Sequence, residues 1–520
     1  MRPRRRRLLL LLLFAAAAGA SWLGLLLLRQ DFVFEAFHVG ATEPIPVERV
    51  RLAQRDSYPV HFLLIHGYGA NRRHLLPLAE VLAAAGGDVY LFDLPGRGDH
   101  RGAISPRPRE GPHASMPTPR ETAAALAVAD YLQQRLGVRR NRLVLVGHSL
   151  GGGVALDLAR RITPAATVSL AGLERPVEPG LPPNLLLITA RLEIPGLRHA
   201  ADRMYERARD GGHVARREFL ASHSSLPQQA TVQRAIIEWS NRVLPEARLS
   251  LSTRFNILLF VLIPLALLSL AALFVPLASL AGAMFSPLAP SEDAQEVKPA
   301  LRTLAHLAGY ALLAGLVTVA SLRLLKWFAL PHPLSFLRIA DGDYLASLLL
   351  LATPWLLPLV GRLPRMNPGR ATFARAGVAL GLAAYVIVVG GGFLTWQLFD
   401  FWPTPERFLR LLLLAALLLP YALGEELLVR RFAGPRHEGR ALVAFLLWRT
   451  ALLVALFFGV IALASGQALL LILSIPLLLL SLVQHFFSAV LRRALGSAYA
   501  SALFNALLLG WIIATLFPLH

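Results

Sequence analysis

The sequence predicts an α/β domain with a mostly parallel sheet and helices on both faces, followed by an all-α domain of transmembrane helices. Short apolar runs alternate with helical patterns between residues 30 and 248, which is typical of a parallel sheet covered by helices. Long apolar runs dominate the chain after about residue 256, and about 20 such residues can cross a bilayer. A further apolar run, 8–28, follows an arginine cluster at the N-terminus.

The composition narrows the class of protein. The 520 residues are 55% hydrophobic and 16% charged, and the mean hydropathy of +0.54 favours a membrane protein. The net charge is +20. No basic face with interleaved aromatic residues accompanies that charge, so nucleic acid is not an expected partner. The chain has no cysteine, which excludes disulfides, thiol catalysis and cysteine-ligated metals.

Residues 1–29 are interpreted as an N-terminal transmembrane anchor. The small residues 15–20 leave a cleavable signal peptide as the alternative, but the apolar part of such a peptide is shorter than this run. The arginine cluster is expected to stay inside. A domain over residues 30–248 would then lie on the periplasmic or extracellular side of a bacterial-type plasma membrane.

The remaining residues, 249–520, are interpreted as a membrane domain of about eight helices. The predicted spans are 256–280, 302–325, 344–363, 375–399, 408–428, 441–465, 468–487 and 497–517. Arginines concentrate in the loops 364–374, 429–440 and 488–496 and at their edges. This agrees with the positive-inside rule if the N-terminus is inside.

The domain over 30–248 contains alternating strand and helix patterns. Predicted strands lie at 61–65, 89–92, 143–146, 167–170, 185–188 and 214–220. Predicted helices lie around 73–85, 119–136, 151–162, 197–209 and 228–244. Strands that alternate with helices in this way predict βαβ units.

Gly147-His148-Ser149-Leu150-Gly151 lies between one such strand and the following helix. This strand–turn–helix context gives the G-x-S-x-G pattern its mechanism, because the sharp turn exposes the serine hydroxyl at the edge of the sheet. We therefore predict that Ser149 is a nucleophile. The backbone N–H of Leu150, at the start of the helix, is the first predicted oxyanion donor.

Over residues 58–245 the chain resembles α/β-hydrolases of the esterase/lipase type. The stretch 66–69, His-Gly-Tyr-Gly, is similar to the oxyanion loop of that family, and 93–99 is similar to its D-x-P-G-x-G turn. The resemblance implies an oxyanion donor at Tyr68 and a triad in the order serine, acid, histidine. Many relatives carry a helical cap, but the predicted connection 173–184 is too short for one.

The acid and the base are expected after later strands. Glu193 follows the strand at 185–188 and is the predicted acid, with Glu174 as the alternative. His223 follows the strand at 214–220 and is the predicted base, whereas the alternative His213 precedes that strand. A histidine can take the serine proton and return it, and a carboxylate fixes its tautomer. No cofactor and no metal are expected.

In the membrane domain, Glu425, Glu426 and Arg430 read E-E-x-x-x-R at the inner end of a predicted span. This resembles the first motif of the membrane-embedded CAAX-protease-like family, over about the last 120 residues. That family has histidines in later spans, where this chain has Ile461 and Asn505. A working second protease site is therefore not expected, and degenerate similarity is the interpretation.

The residues themselves also favour a structural role. Arg449, about two turns into the next span, can reach Glu425 or Glu426 as a buried ion pair. Gln484 and His485 are expected to be satisfied between helices, because no metal-ligand spacing accompanies them.

These observations predict a membrane-anchored serine hydrolase that cleaves carboxylic esters, with lipid-derived esters as the expected substrates. The alternative is a transport or scaffold membrane protein whose hydrolase-like domain senses a partner without catalysis. The sequence leaves open the acyl-chain length, acyl transfer in place of hydrolysis, and the oligomeric state.

Overall fold

The computed structural model describes residues 3–54, 58–105, 118–211, 213–285, 304–328, 330–360, 371–395, 404–432, 438–461, 470, 473–495 and 498–519. The chain divides into two compact units. One, the sheet unit, comprises residues 21–264, 392–402 and 515–520. The other, the helical unit, comprises residues 1–20, 265–391 and 403–514.

The sheet unit is built on one eight-stranded sheet. Its strands are β1 (Phe32–Val39), β2 (Ile45–Leu52), β3 (His61–Ile65), β4 (Asp88–Phe92), β5 (Leu143–His148), β6 (Ala166–Leu170), β7 (Leu185–Leu192) and β8 (Val214–Ser222). They pair in the order β1-β2-β4-β3-β5-β6-β7-β8. The first two pairings are antiparallel and the remaining pairings are parallel, which confirms the predicted mostly parallel sheet.

Five helices connect these strands or follow the last one: α2 (Leu76–Ala84), α3 (Pro119–Leu136), α4 (Leu150–Ile162), α5 (Pro195–Ala208) and α6 (Ala230–Val243). Local sequence explains several of their ends. Pro119 and Pro195 occupy first helical positions, where a missing N–H costs nothing. Gly137 ends α3 in the left-handed region, with φ +68°. The central strands β4, β5 and β6 are buried throughout, as expected for a sheet covered on both faces.

The hairpin of β1 and β2 was not among the predicted strands. Its register pairs Phe32 with Leu52 and Val39 with Ile45, and β2 also pairs with β4. The hairpin extends the sheet on the side away from β8. The predicted helix at 73–85 is also shorter, because residues 72–75 form a 3₁₀ turn before α2.

Parallel register brings the carboxyl ends of the strands to one edge of the sheet. Ile65 pairs with Gly147, and His148 pairs with Leu170. The segments that follow β3, β5, β7 and β8 therefore meet at one rim, where ligands bind in open α/β sheets. Each of these segments carries a predicted site residue.

Apolar helices make up the rest of the described chain: α1 (Pro3–Leu28), α7 (Thr253–Phe285), α8 (Leu304–Trp327), α9 (Gly342–Val360), α10 (Ala371–Thr395), α11 (Pro405–Phe432), α12 (Glu438–Ile461), α13 (Ser474–Leu495) and α14 (Ala498–Leu516). Eight described helices are long and apolar enough to cross a membrane. The exception is α10, whose apolar stretch among the described residues, Val378–Gly390, is shorter than such a span.

The predicted span at 468–487 needs a correction. Helix α13 covers Ser474–Leu495, so Arg492 and Arg493 lie in its last turn and not in a loop. Cations are favourable at the carboxyl end of a helix. Arg492 also pairs with Glu426 at 3.0 Å, which explains why the helix continues past the apolar run.

Arginines neutralise both glutamates of the E-E-x-x-x-R motif. The Nη2 of Arg449 lies 2.7 Å from Oε2 of Glu425, so the expected buried ion pair is present. Glu426 pairs with Arg430 at 3.2 Å and with Arg492 at 3.0 Å. The similarity of this region to the CAAX-protease-like family stays a prediction.

The expectation that Gln484 and His485 are satisfied between helices is not met among the described residues. Both side-chain polar atoms of Gln484 and the Nδ1 of His485 have no hydrogen-bond partner among the described residues. The ring of His485 packs against Phe445 instead, with centroids 5.4 Å apart.

The ends of α1 and α7 belong to the sheet unit. Arg29, just after α1, forms a buried ion pair with Glu80 of α2, with Nε and Oε1 2.7 Å apart. Asn256 in α7 donates to Gln233 of α6 at 2.6 Å. The sheet unit is therefore joined to an apolar helix before its first strand and to another after its last helix.

Candidate active site

Ser149 lies in a strained turn between β5 and α4. Its φ is 57° and its ψ −119°, a conformation that costs energy for a residue with a Cβ. The surrounding backbone holds the turn. Ser149 N–H donates to Leu170 O at 2.8 Å, and Ser149 O accepts from Gly152 at 3.0 Å and Leu173 at 3.3 Å.

The two glycines of the G-x-S-x-G pattern allow the close packing that this turn requires. A Cβ at Gly147 would overlap the carbonyl group of Gly151, and a Cβ at Gly151 would overlap the carbonyl of Ile65. Strand β5, helix α4 and the end of β3 therefore meet backbone to backbone. Gly67 is also close, because a Cβ there would lie 3.2 Å from the Cβ of Ser149.

The structure brings Glu193 and His223 together. The Nδ1 of His223 lies 2.7 Å from Oε2 of Glu193, and the two side chains are 9% and 1% exposed. Glu193 Oε1 accepts the N–H of Ile194 at 3.0 Å. With the carboxylate ionised, Nδ1 carries the hydrogen, which leaves Nε2 of His223 as the basic nitrogen.

His148 connects His223 to the turn that holds Ser149. Its Nε2 lies 2.9 Å from the carbonyl oxygen of His223, and because a carbonyl only accepts, Nε2 carries the hydrogen. The rings of His148 and His223 lie 5.0 Å apart between centroids. Burial, followed by the proximity of His223, holds the pKa of His148 well below its ordinary value, so it is a neutral donor.

The alternative acid and base lie elsewhere. Glu174 pairs with Arg203 at 2.5 Å and with Arg207 at 3.2 Å, on α5. His213 precedes β8 and accepts the N–H of Leu185 with its backbone carbonyl. That position is at the amino-terminal end of the strand, opposite to His223.

The oxyanion loop, residues 66–69, follows β3 beside Ser149. His66 is fully buried, and its Nε2 accepts the N–H of Leu94 at 3.0 Å. Nδ1 therefore carries the hydrogen and donates to Gly67 O at 2.8 Å. Gly67 O and the N–H of Tyr68 belong to one planar trans peptide and point in opposite directions, so His66 fixes the direction of the Tyr68 N–H.

The second predicted oxyanion donor is Leu150. It is the first residue of α4, and the first N–H groups of a helix have no partner within the helix. An N–H at a helix amino terminus also benefits from the helix dipole. The two predicted donors thus come from the segments that follow β3 and β5.

The second loop, residues 93–99, is called the PG turn here. Asp93 is fully buried and accepts the N–H groups of Arg72 at 2.8 Å and Asp99 at 3.0 Å. It also forms an ion pair with the Arg72 side chain, which reaches Asp99 at 2.9 Å. The turn is therefore fastened to the segment that follows the oxyanion loop.

Two contributors were not predicted as site residues. His148 stands at the first variable position of G-x-S-x-G, and Arg97 at the second variable position of D-x-P-G-x-G. Both act on backbone carbonyl oxygens, of His223 and Tyr68 respectively. Their positions inside the two motifs were the only signal in the sequence.

Comparisons with known proteins bear on the fold of this part of the chain. A family model described as alpha/beta hydrolase fold matches residues 60–198. The chain is 32% identical over 146 residues to lysophosphatidylserine lipase ABHD12 of Danio rerio, which covers 26% of this chain and 34% of that protein. It is 37% identical over 109 residues to ABHD12 of Gallus gallus, and this match covers 21% of this chain and 25% of that protein. The chain thus spans about a third or less of these relatives.

Solved structures also align with this part of the chain. TT1662 from Thermus thermophilus aligns with 41% of this chain and 98% of its own, at a TM-score of 0.33 and 20% identity. Brefeldin A esterase is described as a bacterial homologue of human hormone-sensitive lipase. Its alignment covers 46% of this chain and 86% of the esterase, at a TM-score of 0.32 and 18% identity. The family match and the observed sheet together identify the part of the chain around residues 60–198 as a domain of the α/β-hydrolase fold.

Proposed function

We propose that this protein is a membrane-anchored serine hydrolase that cleaves carboxylic esters through an acyl-enzyme on Ser149. The observation that carries the proposal is the buried pair of His223 and Glu193, 2.7 Å apart, at the rim that holds the strained serine turn. A structural ion pair would not need to lie beside a strained serine turn of this kind. The strain at Ser149 is the second support.

The proposed chemistry follows from the roles of the groups. His223 Nε2 takes the proton from Ser149 Oγ as the oxygen attacks the ester carbonyl carbon. The N–H groups of Tyr68 and Leu150 stabilise the oxyanion of the tetrahedral intermediate. His223 then gives the proton to the leaving alcohol, and the acyl-enzyme forms. Water then attacks the acyl-enzyme with the same help from His223, which releases the carboxylic acid and restores Ser149. Glu193 stabilises the imidazolium in both steps.

The proposed substrates are lipid-derived acyl esters. Two observations support this class: the described residues include eight helices long and apolar enough to cross a membrane, and the matched relatives are named lysophosphatidylserine lipases. We further propose that the sheet unit lies on the periplasmic or extracellular side of a bacterial-type plasma membrane, because the predicted inner loops are rich in arginine.

Labelling with a fluorophosphonate tests the nucleophile. The full-length protein in detergent should react, and Ser149→Ala should lose the label and ester turnover completely. Ser240→Ala is the matched control, because that buried hydroxyl only donates to a carbonyl within α6 and should leave labelling unchanged. Labelling that survives Ser149→Ala contradicts the proposal. Absence of turnover on short and long acyl esters would favour a sensing or scaffold protein.

A further inference from the structure

Arg97 connects the PG turn to the oxyanion loop. Its side chain is 1% exposed, and its Nε donates to the carbonyl oxygen of Tyr68 at 2.9 Å. The guanidinium carbon also lies 4.9 Å from the centroid of the Tyr68 ring, within the range of a cation–π contact. One side chain therefore holds both the backbone and the ring of the predicted oxyanion donor.

The other side of the guanidinium group is held by the PG turn and α3. Nη1 donates to Pro95 O at 2.7 Å and lies 3.3 Å from Oε1 of Glu121. Glu121 is 2% exposed and is fixed in turn by Ser105, which donates both its N–H and its hydroxyl. A buried arginine with a buried, hydrogen-bonded counter-ion has little freedom to move.

The peptides on both sides of Tyr68 are therefore held. His66 donates to Gly67 O in the peptide before its α-carbon, and Arg97 donates to Tyr68 O in the peptide after it. A donor that stabilises a developing oxyanion must be aimed before the charge appears, because turning it during the reaction costs energy.

We propose that Arg97 is a positioning residue that aims the Tyr68 N–H at the oxyanion by fixing the carbonyl group of the same residue. The proposal rests on the proposed function, since it assumes that an oxyanion forms on the substrate of Ser149. Arg97 touches no reacting atom. Its loss should therefore weaken binding of the transition state and leave binding of the ground state largely unchanged.

The experiment measures kcat and KM for a p-nitrophenyl ester, and the inhibition constant of a trifluoromethyl ketone that forms a reversible tetrahedral adduct with serine. The full-length protein is compared with Arg97→Lys and Arg97→Met. Loss of a whole oxyanion donor costs about 10²–10³ in kcat, so a misdirected donor should cost roughly tenfold or more. KM should change by less than about threefold, and inhibition should weaken in parallel with kcat/KM.

Arg175→Met is the matched control. Arg175 is also buried; it donates to the carboxylate of Asp157 at 2.7 Å, to Glu174 O at 2.8 Å and to the Thr118 hydroxyl at 3.0 Å. Its loss should lower the melting temperature as Arg97→Met does, with kcat and the inhibition constant unchanged. The proposal is overturned if the Arg97 variants keep the wild-type kcat and inhibition constant. It is also overturned if Arg175→Met changes kcat and the inhibition constant as much as the Arg97 variants do.

If neither Arg97 variant folds, Glu121→Gln carries the test. It keeps an acceptor for Arg97 but removes the counter-charge. Both kcat and the affinity for the trifluoromethyl ketone should therefore fall together, by a smaller factor than is expected for the Arg97 variants. Unchanged values would overturn the proposal. Failure of the proposed function gives a different result, because the wild-type protein itself would then show no turnover.

Discussion

At the scale of single residues, the site depends on imidazoles that stay neutral. Burial lowers the pKa of His66 and His148 well below 6.5. Burial and the nearby His223 lower the pKa of His74 to about 4. The His74 ring lies 5.8 Å from that of His148 between centroids. A proton on His148 or His74 would place a cation near His223.

This arrangement predicts a loss of stability in acid. An unfolded histidine binds its proton near pH 6.5 and folded His74 only near 4, so between these values the unfolded state binds more protons. His74 therefore contributes roughly 3 kcal/mol to the free energy of unfolding above pH 6.5, and this contribution is lost as the pH falls toward 4. The melting temperature of wild type should fall between pH 7.5 and 4.5, and that of His74→Gln should fall less. Parallel curves would refute this.

Three features of the sequence suggested the predicted triad: the G-x-S-x-G pattern for Ser149, the strands that precede Glu193 and His223, and the order serine, acid, histidine that the family resemblance implies. Parallel strands end at one edge, so residues that follow them are expected to meet there. Arg97 and His148 were not named, because the groups that they hold at the site are backbone carbonyl oxygens, of Tyr68 and His223. A hydrogen bond to a carbonyl leaves no complementary residue type for a sequence pattern to show.

At the scale of elements, the helices and the parallel strands were more predictable than the hairpin of β1 and β2. The buried strands form continuous apolar runs, whereas β1 and β2 contain charged residues such as Glu35, Arg49 and Arg51. These charges pair across the hairpin, Glu35 with Arg49 at 3.1 Å and with Arg51 at 2.7 Å. Cross-strand pairs stabilise a sheet without producing a run of apolar residues.

The contact between β3, β5 and α4 makes a prediction at the same scale. Gly151→Ala should lower stability by about 1–3 kcal/mol or more and abolish fluorophosphonate labelling, because its Cβ would overlap the Ile65 carbonyl. Gly196→Ala, in the first turn of α5, has nothing within 4 Å and should be neutral or slightly stabilising. Melting temperatures and labelling rates measure both. Equal behaviour of the two variants would contradict the close packing of β3, β5 and α4 around the turn that holds Ser149.

At the scale of the whole molecule, the absence of cysteine allows a clean test of orientation. Gln134→Cys places one thiol on an exposed position of α3, and Arg493→Cys places one at the end of α13, where the side chain is 69% exposed. If the arginine-rich ends lie inside, a membrane-impermeant maleimide should label Gln134→Cys in intact spheroplasts. Arg493→Cys should be labelled only after permeabilisation. The reverse pattern would refute the proposed topology.

The attachment of the sheet unit to α1 and α7 determines which substrate concentration the rate of ester cleavage should depend on. The buried pair of Arg29 and Glu80 fixes one end, and the hydrogen bond from Asn256 to Gln233 fixes the other. A domain held at two points cannot tumble freely in solution. For an ester dissolved in the same bilayer, the encounter rate then depends on the mole fraction of ester among the lipids. Dilution with inert lipid should slow such a reaction, and dilution of the vesicles in buffer should not.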